Sequence, residues 1–137
     1  MTYLLDTNAC IAVLNDRDSE VARKLATIPR EEVALCQIVK AELLYGAHRS
    51  AKVESNLALL GSFFKQFSAL PFDDEATDVY GRIRAKLAAS GELIGPNDTI
   101  IAAIAVRHGA TLVTHNTREF DRVEGLRFED WEEPTSG

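Results

Sequence analysis

Cysteine and histidine are scarce in this sequence, and their spacing excludes the commonest metal sites. The two cysteines, Cys10 and Cys36, are too few and too far apart for a thiolate metal centre. We expect them to be small buried side chains without a disulfide, as in a reducing compartment. The three histidines, His48, His108 and His115, form neither an HExxH motif nor a zinc-finger spacing. Any metal bound here should therefore have oxygen ligands.

Long apolar runs and an excess of positive charge are also missing. No stretch approaches the roughly 18 to 20 apolar residues of a membrane span, and the first residues lack the basic and apolar regions of a secretory signal peptide. We therefore expect a cytoplasmic protein. The 15 basic and 21 acidic side chains give a net charge of −6, which argues against a protein that coats nucleic acid through a basic face. An enzyme that meets phosphates through bound cations is compatible with this charge.

Length and composition indicate one domain. The chain has 137 residues, of which 46% are apolar and 26% are charged, enough to bury a core and too apolar for wholesale disorder. Residues 119–137 carry seven acidic and two basic side chains. We expect a single domain over residues 1–137 with an acidic C-terminal tail at residues 129–137.

Short apolar runs alternate with helical spacing along the chain. The strand candidates are residues 3–5, 33–36 and 111–114, with weaker ones at 69–72 and 126–128. Apolar residues three and four apart predict helices over residues 8–14, 19–28, 37–48, 53–67, 75–89 and 99–108. Strands that are apolar on both faces and alternate with helices predict an α/β fold with a central parallel sheet of four or five strands, flanked by helices. In such folds, ligands gather beyond the carboxyl ends of the strands.

Two acidic residues lie where a strand or a helix ends or begins. Asp6 follows the first apolar run directly, so its carboxylate should stand at the carboxyl edge of the sheet. It could instead be a helix N-cap, because Asp6, Thr7 and Asn8 offer three capping side chains in succession. Asp98 lies at the start of a predicted helix, where either Asn97 or Asp98 could cap. For each acid taken alone, capping and function remain alternatives.

Glu42 occupies a helical position that needs an explanation. At 100° per residue, Lys40 and Glu42 point to nearly opposite sides of their helix, so one of them must face apolar neighbours. Ile38, Val39 and Tyr45 flank Glu42, which makes Glu42 the better candidate. Burying a carboxylate costs several kcal/mol unless a cation or hydrogen bonds compensate. The alternative is a glutamate at the edge of the apolar stripe that reaches water.

These three acids predict a metal site if the fold brings them together. Carboxylates that meet at one sheet edge repel one another unless a cation or a proton compensates. Hard divalent ions such as Mg²⁺ and Mn²⁺ prefer oxygen ligands and also accept phosphate oxygens. Asp6, Glu42 and Asp98 therefore predict metal-assisted attack of water on a phosphodiester bond.

Four spaced sequence blocks resemble a known family. They are LLDTNACIAVL at residues 4–14, VKAELLYGA at 39–47, IGPNDTIIAAIA at 94–105 and LVTHNTREFDRVEGLRFEDW at 112–131. Through them, nearly the whole chain resembles the PIN-domain ribonucleases, and specifically the VapC toxins of bacterial toxin–antitoxin pairs. The resemblance implies a PIN fold and a Mg²⁺-dependent endoribonuclease, with Mn²⁺ as a substitute ion. It also implies an RNA substrate such as tRNA, a small VapB-like antitoxin partner and a homodimer, without a membrane.

The resemblance also assigns roles to individual residues. It places Asp6, Glu42 and Asp98 on the family's acidic site, with Asp6 and Asp98 as the principal metal ligands and Glu42 as a ligand or the general base. Many relatives have an aspartate at the position of Asn116, and others have their fourth acid at the position of Glu119. We favour Asn116 as an uncharged group around the metal and keep Glu119 as the alternative. Without a fourth carboxylate, a second metal ion is less favoured.

Two threonines are further candidates. Thr7 and Thr114 could donate hydrogen bonds that orient the carboxylates, or they could be ordinary residues at strand ends.

Two other functions compete with the nuclease hypothesis. Phosphatases and phosphotransferases that begin with an aspartate after the first strand typically have a second one two positions later, where this chain has Asn8. A catalytically silent PIN-like binding module is favoured only by the missing fourth acid. Such a module should bind no Mg²⁺.

Overall fold

The computed structural model describes residues 1–132, which form five strands and seven α-helices. The strands are β1 (Tyr3–Leu5), β2 (Val33–Cys36), β3 (Ser68–Leu70), β4 (Thr111–Val113) and β5 (Arg127–Glu129). The helices are α1 (Thr7–Asn15), α2 (Glu20–Ala26), α3 (Gln37–His48), α4 (Val53–Phe64), α5 (Asp74–Ala89), α6 (Pro96–His108) and α7 (Thr117–Phe120). A short 3₁₀ helix, Arg30–Glu32, precedes β2.

All five strands are parallel and form one sheet in the order β3-β2-β1-β4-β5. The first strand is therefore central, and Leu4 pairs with Ala34 on one side and Leu112 on the other. Because the strands run in the same direction, the residues that follow β1, β2 and β4 all leave the sheet at one edge. The predicted α/β fold with a flanked parallel sheet is confirmed.

The core lies on both faces of the sheet. Leu4, Leu35 and Leu112 in the three inner strands are completely buried, as expected for strands covered by helices on both sides. The two cysteines, Cys10 and Cys36, are buried and free, as predicted. None of the helices in residues 1–132 is long and apolar enough to cross a membrane.

Helix α6 begins three residues earlier than predicted. Its N-cap is Gly95, and Pro96 occupies the first turn, where the missing N–H of proline costs nothing. Neither Asn97 nor Asp98 caps the helix, and Asp98 lies inside the first turn. Of the two alternatives left open for Asp98, capping is therefore wrong, and Asn97 does not cap the helix in its place.

The end of the described chain packs against the sheet. Glu129 is the last residue of β5, and Trp131 is only 6% exposed. The Trp131 ring lies 5.4 Å from the Tyr3 ring, centroid to centroid. Of the predicted acidic tail, residues 133–137 lie outside the described part of the chain.

Candidate active site

Asp6 is held at the carboxyl end of the central strand. Its backbone N–H donates to the Val113 carbonyl at 3.1 Å, which extends the pairing of β1 with β4 by one residue. Its carboxylate accepts the Ala9 N–H at 2.8 Å, so Asp6 is the N-cap of α1 as well as a site candidate. Burial raises the pKa of Asp6, while hydrogen bonds from Thr114 and Ala9 lower it. The side chain is 6% exposed and fixed in direction.

Glu42 projects from α3 toward α1. Its Oε1 accepts a hydrogen bond from the Thr7 hydroxyl at 2.6 Å. Because Thr7 is the first residue of α1 and directly follows Asp6, this bond holds Glu42 beside Asp6. Lys40 is also half-buried, with its ammonium 5.4 Å from the Phe64 ring centroid. Both charged residues of this helix thus lie against other side chains.

Among the three candidate acids, Asp98 has the most strongly raised pKa. Burial raises the pKa of Asp98 to about 7, and the negative charges of Glu119, Glu42 and Asp6 act in the same direction, as does a hydrogen bond with Glu119. The side chain is half-buried in the first turn of α6. The metal-free Asp98 carboxyl group therefore holds its proton to a higher pH than an exposed aspartate does.

The three acids meet in one cleft of about 200 Å³. The residues that line it are Asp6, Thr7, Asn8, Glu42, Asp98, Asn116 and Phe120. These residues follow the ends of β1 and β4 or lie in the first turns of α1 and α6, with Glu42 from the second turn of α3 and Phe120 from the end of α7. The structure thus brings together all three acids that the sequence singled out.

The two candidates for the fourth position share one hydrogen-bonded group. Asn116 lines the cleft, and its side-chain amide donates to Oε2 of Glu119. The other oxygen of Glu119 accepts the Gly95 N–H at 2.8 Å. Glu119 also contacts Asp98 by charge and by hydrogen bond. Asn116 therefore lines the cleft directly, whereas Glu119 meets it through its contact with Asp98.

The candidate threonines both contact this network. Thr114 donates to Asp6 and accepts the Asn116 N–H at 3.0 Å. With the bond from Thr7 to Glu42, each threonine hydroxyl orients one carboxylate.

Sequence analysis missed Gly95 as part of the site. A Cβ added at Gly95 would lie 3.6 Å from Asp98 Oδ2 and 3.8 Å from Glu119 Oε1. The absence of a side chain thus leaves space directly beside the acids. The glycine-proline pair before Asp98 is the sequence signal that could have drawn attention to this space.

The donor set of the cleft fits a hard divalent cation. Its ionisable groups are the carboxylates of Asp6, Glu42 and Asp98, and within residues 1–132 the cleft has no lysine, arginine or histidine in its wall. Burial raises the pKa of both Asp6 and Asp98, and repulsion from neighbouring carboxylates raises it further. A divalent ion would relieve this repulsion, and oxygen-only ligands suit Mg²⁺ or Mn²⁺.

Comparison with known families and proteins gives one consistent result. The model of the PIN domain family matches residues 3–126. A tRNA(fMet)-specific endonuclease VapC from Shigella flexneri is 39% identical over 131 residues, which cover 96% of this chain and 98% of the relative. A protein named ribonuclease VapC2 from Rickettsia felis is 37% identical over 133 residues, covering 96% of this chain and 99% of the relative.

Solved structures agree with the sequence relatives. VapBC2 from Rickettsia felis, bound to a DNA fragment from its promoter, matches with a TM-score of 0.89 and 36% identity, covering 96% of this chain and 99% of that one. FitAcB from Neisseria gonorrhoeae matches with a TM-score of 0.85 and 29% identity, covering 96% of this chain and 100% of that one. The similarity therefore extends over the sheet and all the helices that carry the cleft.

Proposed function

This chain belongs to the PIN-domain family and is of the VapC type, and on that premise we propose that it is a Mg²⁺-dependent endoribonuclease, the toxin of a type II toxin–antitoxin pair. The observation that carries the proposal is the meeting of Asp6, Glu42 and Asp98 in one cleft without a neighbouring cation among the described residues that line it. The proposed reaction is hydrolysis of a phosphodiester bond in RNA.

The residues of the cleft have different proposed roles in binding the metal ion and activating the attacking water. Asp6 and Asp98 would hold the ion, which when bound would supply positive charge to the phosphate oxygens and lower the pKa of a water. Glu42 is a further ligand or the general base that accepts a proton from the attacking water. Thr7 occupies one oxygen of Glu42 at 2.6 Å and so fixes the direction of the other. Because water attacks, the ribose 2′-hydroxyl is not required, and the products carry a 5′-phosphate and a 3′-hydroxyl.

We propose that one ion is held tightly. Asn116 is uncharged, and both oxygens of Glu119 accept hydrogen bonds, one from Gly95 and one from Asn116. Three carboxylates hold two divalent ions less well than four. Mn²⁺ should replace Mg²⁺ because it accepts the same oxygen ligands.

The activity test compares Asp6→Asn with a matched surface variant. The asparagine amide oxygen can still accept the Ala9 N–H, so we expect the variant to fold but to lose metal-dependent cleavage of total RNA. Asp18→Asn removes one exposed acid between α1 and α2 and should leave cleavage unchanged. Sequencing the new 5′ ends identifies the cleaved RNA. Undiminished cleavage by Asp6→Asn, or by the parent in excess chelator, would refute the mechanism.

The substrate proposal begins with transfer RNA. The VapC relatives from Shigella flexneri and Salmonella typhimurium are named as specific for tRNA(fMet). We therefore propose tRNA as the first RNA to test, with the initiator species included.

A small VapB-like antitoxin is the proposed protein partner, because VapBC complexes are among the solved structures that match. An apolar groove of about 220 Å³ lies between α1, α3 and α4 and reaches Glu42. Ile11 and Leu59 in its wall are 39% and 50% exposed. We propose that an apolar segment of the antitoxin fills this groove and that an adjoining arginine reaches the acidic cleft. Leu59→Glu should weaken antitoxin binding and leave RNA cleavage unchanged, and equal antitoxin affinity would refute the groove.

We also propose a homodimer, as the family resemblance implies. Light scattering on the isolated chain measures the mass directly, and a monomer at all concentrations would refute it.

The phosphatase alternative is not favoured by the cleft. Asn8 lines it where such enzymes place a second aspartate, and an amide cannot replace that carboxylate as an acid or nucleophile.

A further inference from the structure

A second group of metal-ligating atoms lies at the carboxyl ends of β4 and β5. Val113 pairs with Glu129 in the register of these parallel strands, so the segments that follow leave the sheet side by side. His115 Nδ1 lies 2.9 Å from Asp130 Oδ2 and 3.5 Å from Glu132 Oε2. One ligand atom from each of the three residues lies within 4.8 Å of the others.

We propose that His115, Asp130 and Glu132 bind a divalent transition-metal ion such as Zn²⁺, at a site distinct from the acidic cleft. One imidazole nitrogen and two carboxylate oxygens suit Zn²⁺ or Co²⁺, whereas Mg²⁺ prefers oxygen alone. Metal–ligand bonds of about 2.0–2.2 Å at tetrahedral angles place ligand atoms about 3.3–3.6 Å apart. The 3.5 Å distance from Nδ1 to Glu132 fits that range. The 2.9 Å distance to Asp130 is a hydrogen bond, so the ion would take the place of its proton after a small side-chain rotation.

The charges of the group also favour a divalent ion. An imidazolium proton neutralises only one of the two carboxylates, whereas a divalent cation neutralises both. Arg23 and Lys24 line a cavity that Asp130 also lines, yet among residues 1–132 the ion pairs of Asp130 and Glu132 are with His115. The negative charge of Glu132 is felt as far as the acidic cleft, where it contributes to the raised pKa of Asp6.

The surroundings provide both a fixed ligand and an open side. The Asp130 side chain is only 11% exposed, and its Oδ1 accepts the Glu132 N–H at 2.9 Å, which directs Oδ2 toward His115. The His115 and Glu132 side chains are 60% and 39% exposed. Water can therefore complete the coordination of an ion that has three protein ligands.

A metal ion bound to these three residues would link the end of β4 to the end of β5. His115 lies between Thr114, which contacts Asp6, and Asn116, which lines the cleft. The second ion would thus have a structural role beside the cleft, and the inference does not depend on RNA cleavage.

The test is Zn²⁺ binding to a tag-free full chain in an Asp6→Asn, Asp98→Asn background, which leaves Glu42 as the only carboxylate among the described residues that line the cleft. Calorimetry should find one Zn²⁺ site in this background, and Co²⁺ should give a visible d–d absorption band. Adding His115→Gln should weaken Zn²⁺ binding by about tenfold or more and remove the band. His48→Gln, which changes an exposed histidine on α3, is the matched control and should change neither.

Two results would overturn the proposal. Equal Zn²⁺ affinity with and without His115 would show that the ion binds elsewhere. Absence of a saturable Zn²⁺ heat in the background protein, with its fold confirmed by a cooperative melt, would show that the three residues form an ion pair only.

Discussion

Replacing Asp98 with asparagine should stabilise the metal-free protein and abolish its response to Mg²⁺. In the fold, burial and the neighbouring acids raise the pKa of Asp98 from 3.8 to about 7. A carboxyl group whose pKa is higher in the folded chain contributes stability that is fully present below pH 3.8 and is lost as the pH rises through about 7. The asparagine side chain does not ionise, so the variant avoids this penalty.

The size of the effect follows from the pKa difference. Each pKa unit corresponds to about 1.4 kcal/mol, so the full penalty is about 4 kcal/mol. Because the side chain is half-buried and partly screened by water, we expect about 2 kcal/mol at about pH 8 and about 1 kcal/mol at about pH 5.5.

Urea unfolding in chelator at these two pH values measures the difference. The Asp98→Asn midpoint should exceed that of the parent, and by more at the higher pH. Mg²⁺ at about pH 8 should then raise the midpoint of the parent and leave that of the variant unchanged. Asp18→Asn is the control for loss of one negative charge at an exposed position. An Asp98→Asn variant that is less stable than the parent in chelator would refute the electrostatic argument. So would a difference in stability between the two proteins that does not change with pH.

Three further predictions concern single residues. Thr7→Val removes the 2.6 Å hydrogen bond to Glu42. It should lower the RNA cleavage rate about tenfold and the free energy of unfolding in urea by about 1 kcal/mol. Thr7→Ser should restore both, and a fully active valine variant would contradict the orienting role. Burial raises the pKa of Cys10 and of Cys36, so neither thiol should react with a thiol reagent until the protein unfolds. Rapid labelling of the native protein would contradict this prediction. Trp131→Ala should destabilise the fold by about 3–5 kcal/mol in the same urea assay, and a loss below about 1 kcal/mol would show that the ring adds little to the core.

Much of the sheet could be predicted because its strands are short and apolar on both faces. Asp6 could be placed at the carboxyl edge of the sheet from sequence alone, since parallel strands share their carboxyl ends. The start of α6 could not be placed, because Asn97 and Asp98 are good capping residues and compete with the Gly95-Pro96 signal for the same end.

Contacts between segments that are distant in sequence could not be predicted from the sequence. The hydrogen bond between the Gly95 N–H and Glu119 joins residues 24 positions apart, and no local sequence pattern predicts it. The same holds for the group of His115 and Asp130, which depends on the register between β4 and β5. Spacing rules for histidine find metal sites only where the ligands are close in sequence.

The central place of β1 has a consequence for synthesis on the ribosome. The strand that carries Asp6 is among the first segments translated, but its partner β4 and the contacts of Asp6 with Val113 and Thr114 come from the last quarter of the chain. A nascent polypeptide therefore cannot assemble the cleft until nearly all of it has been made. On the proposed function, a fragment that ends before residue 111 would lack β4 and the contacts of Asp6 with Val113 and Thr114, and it should not cleave RNA.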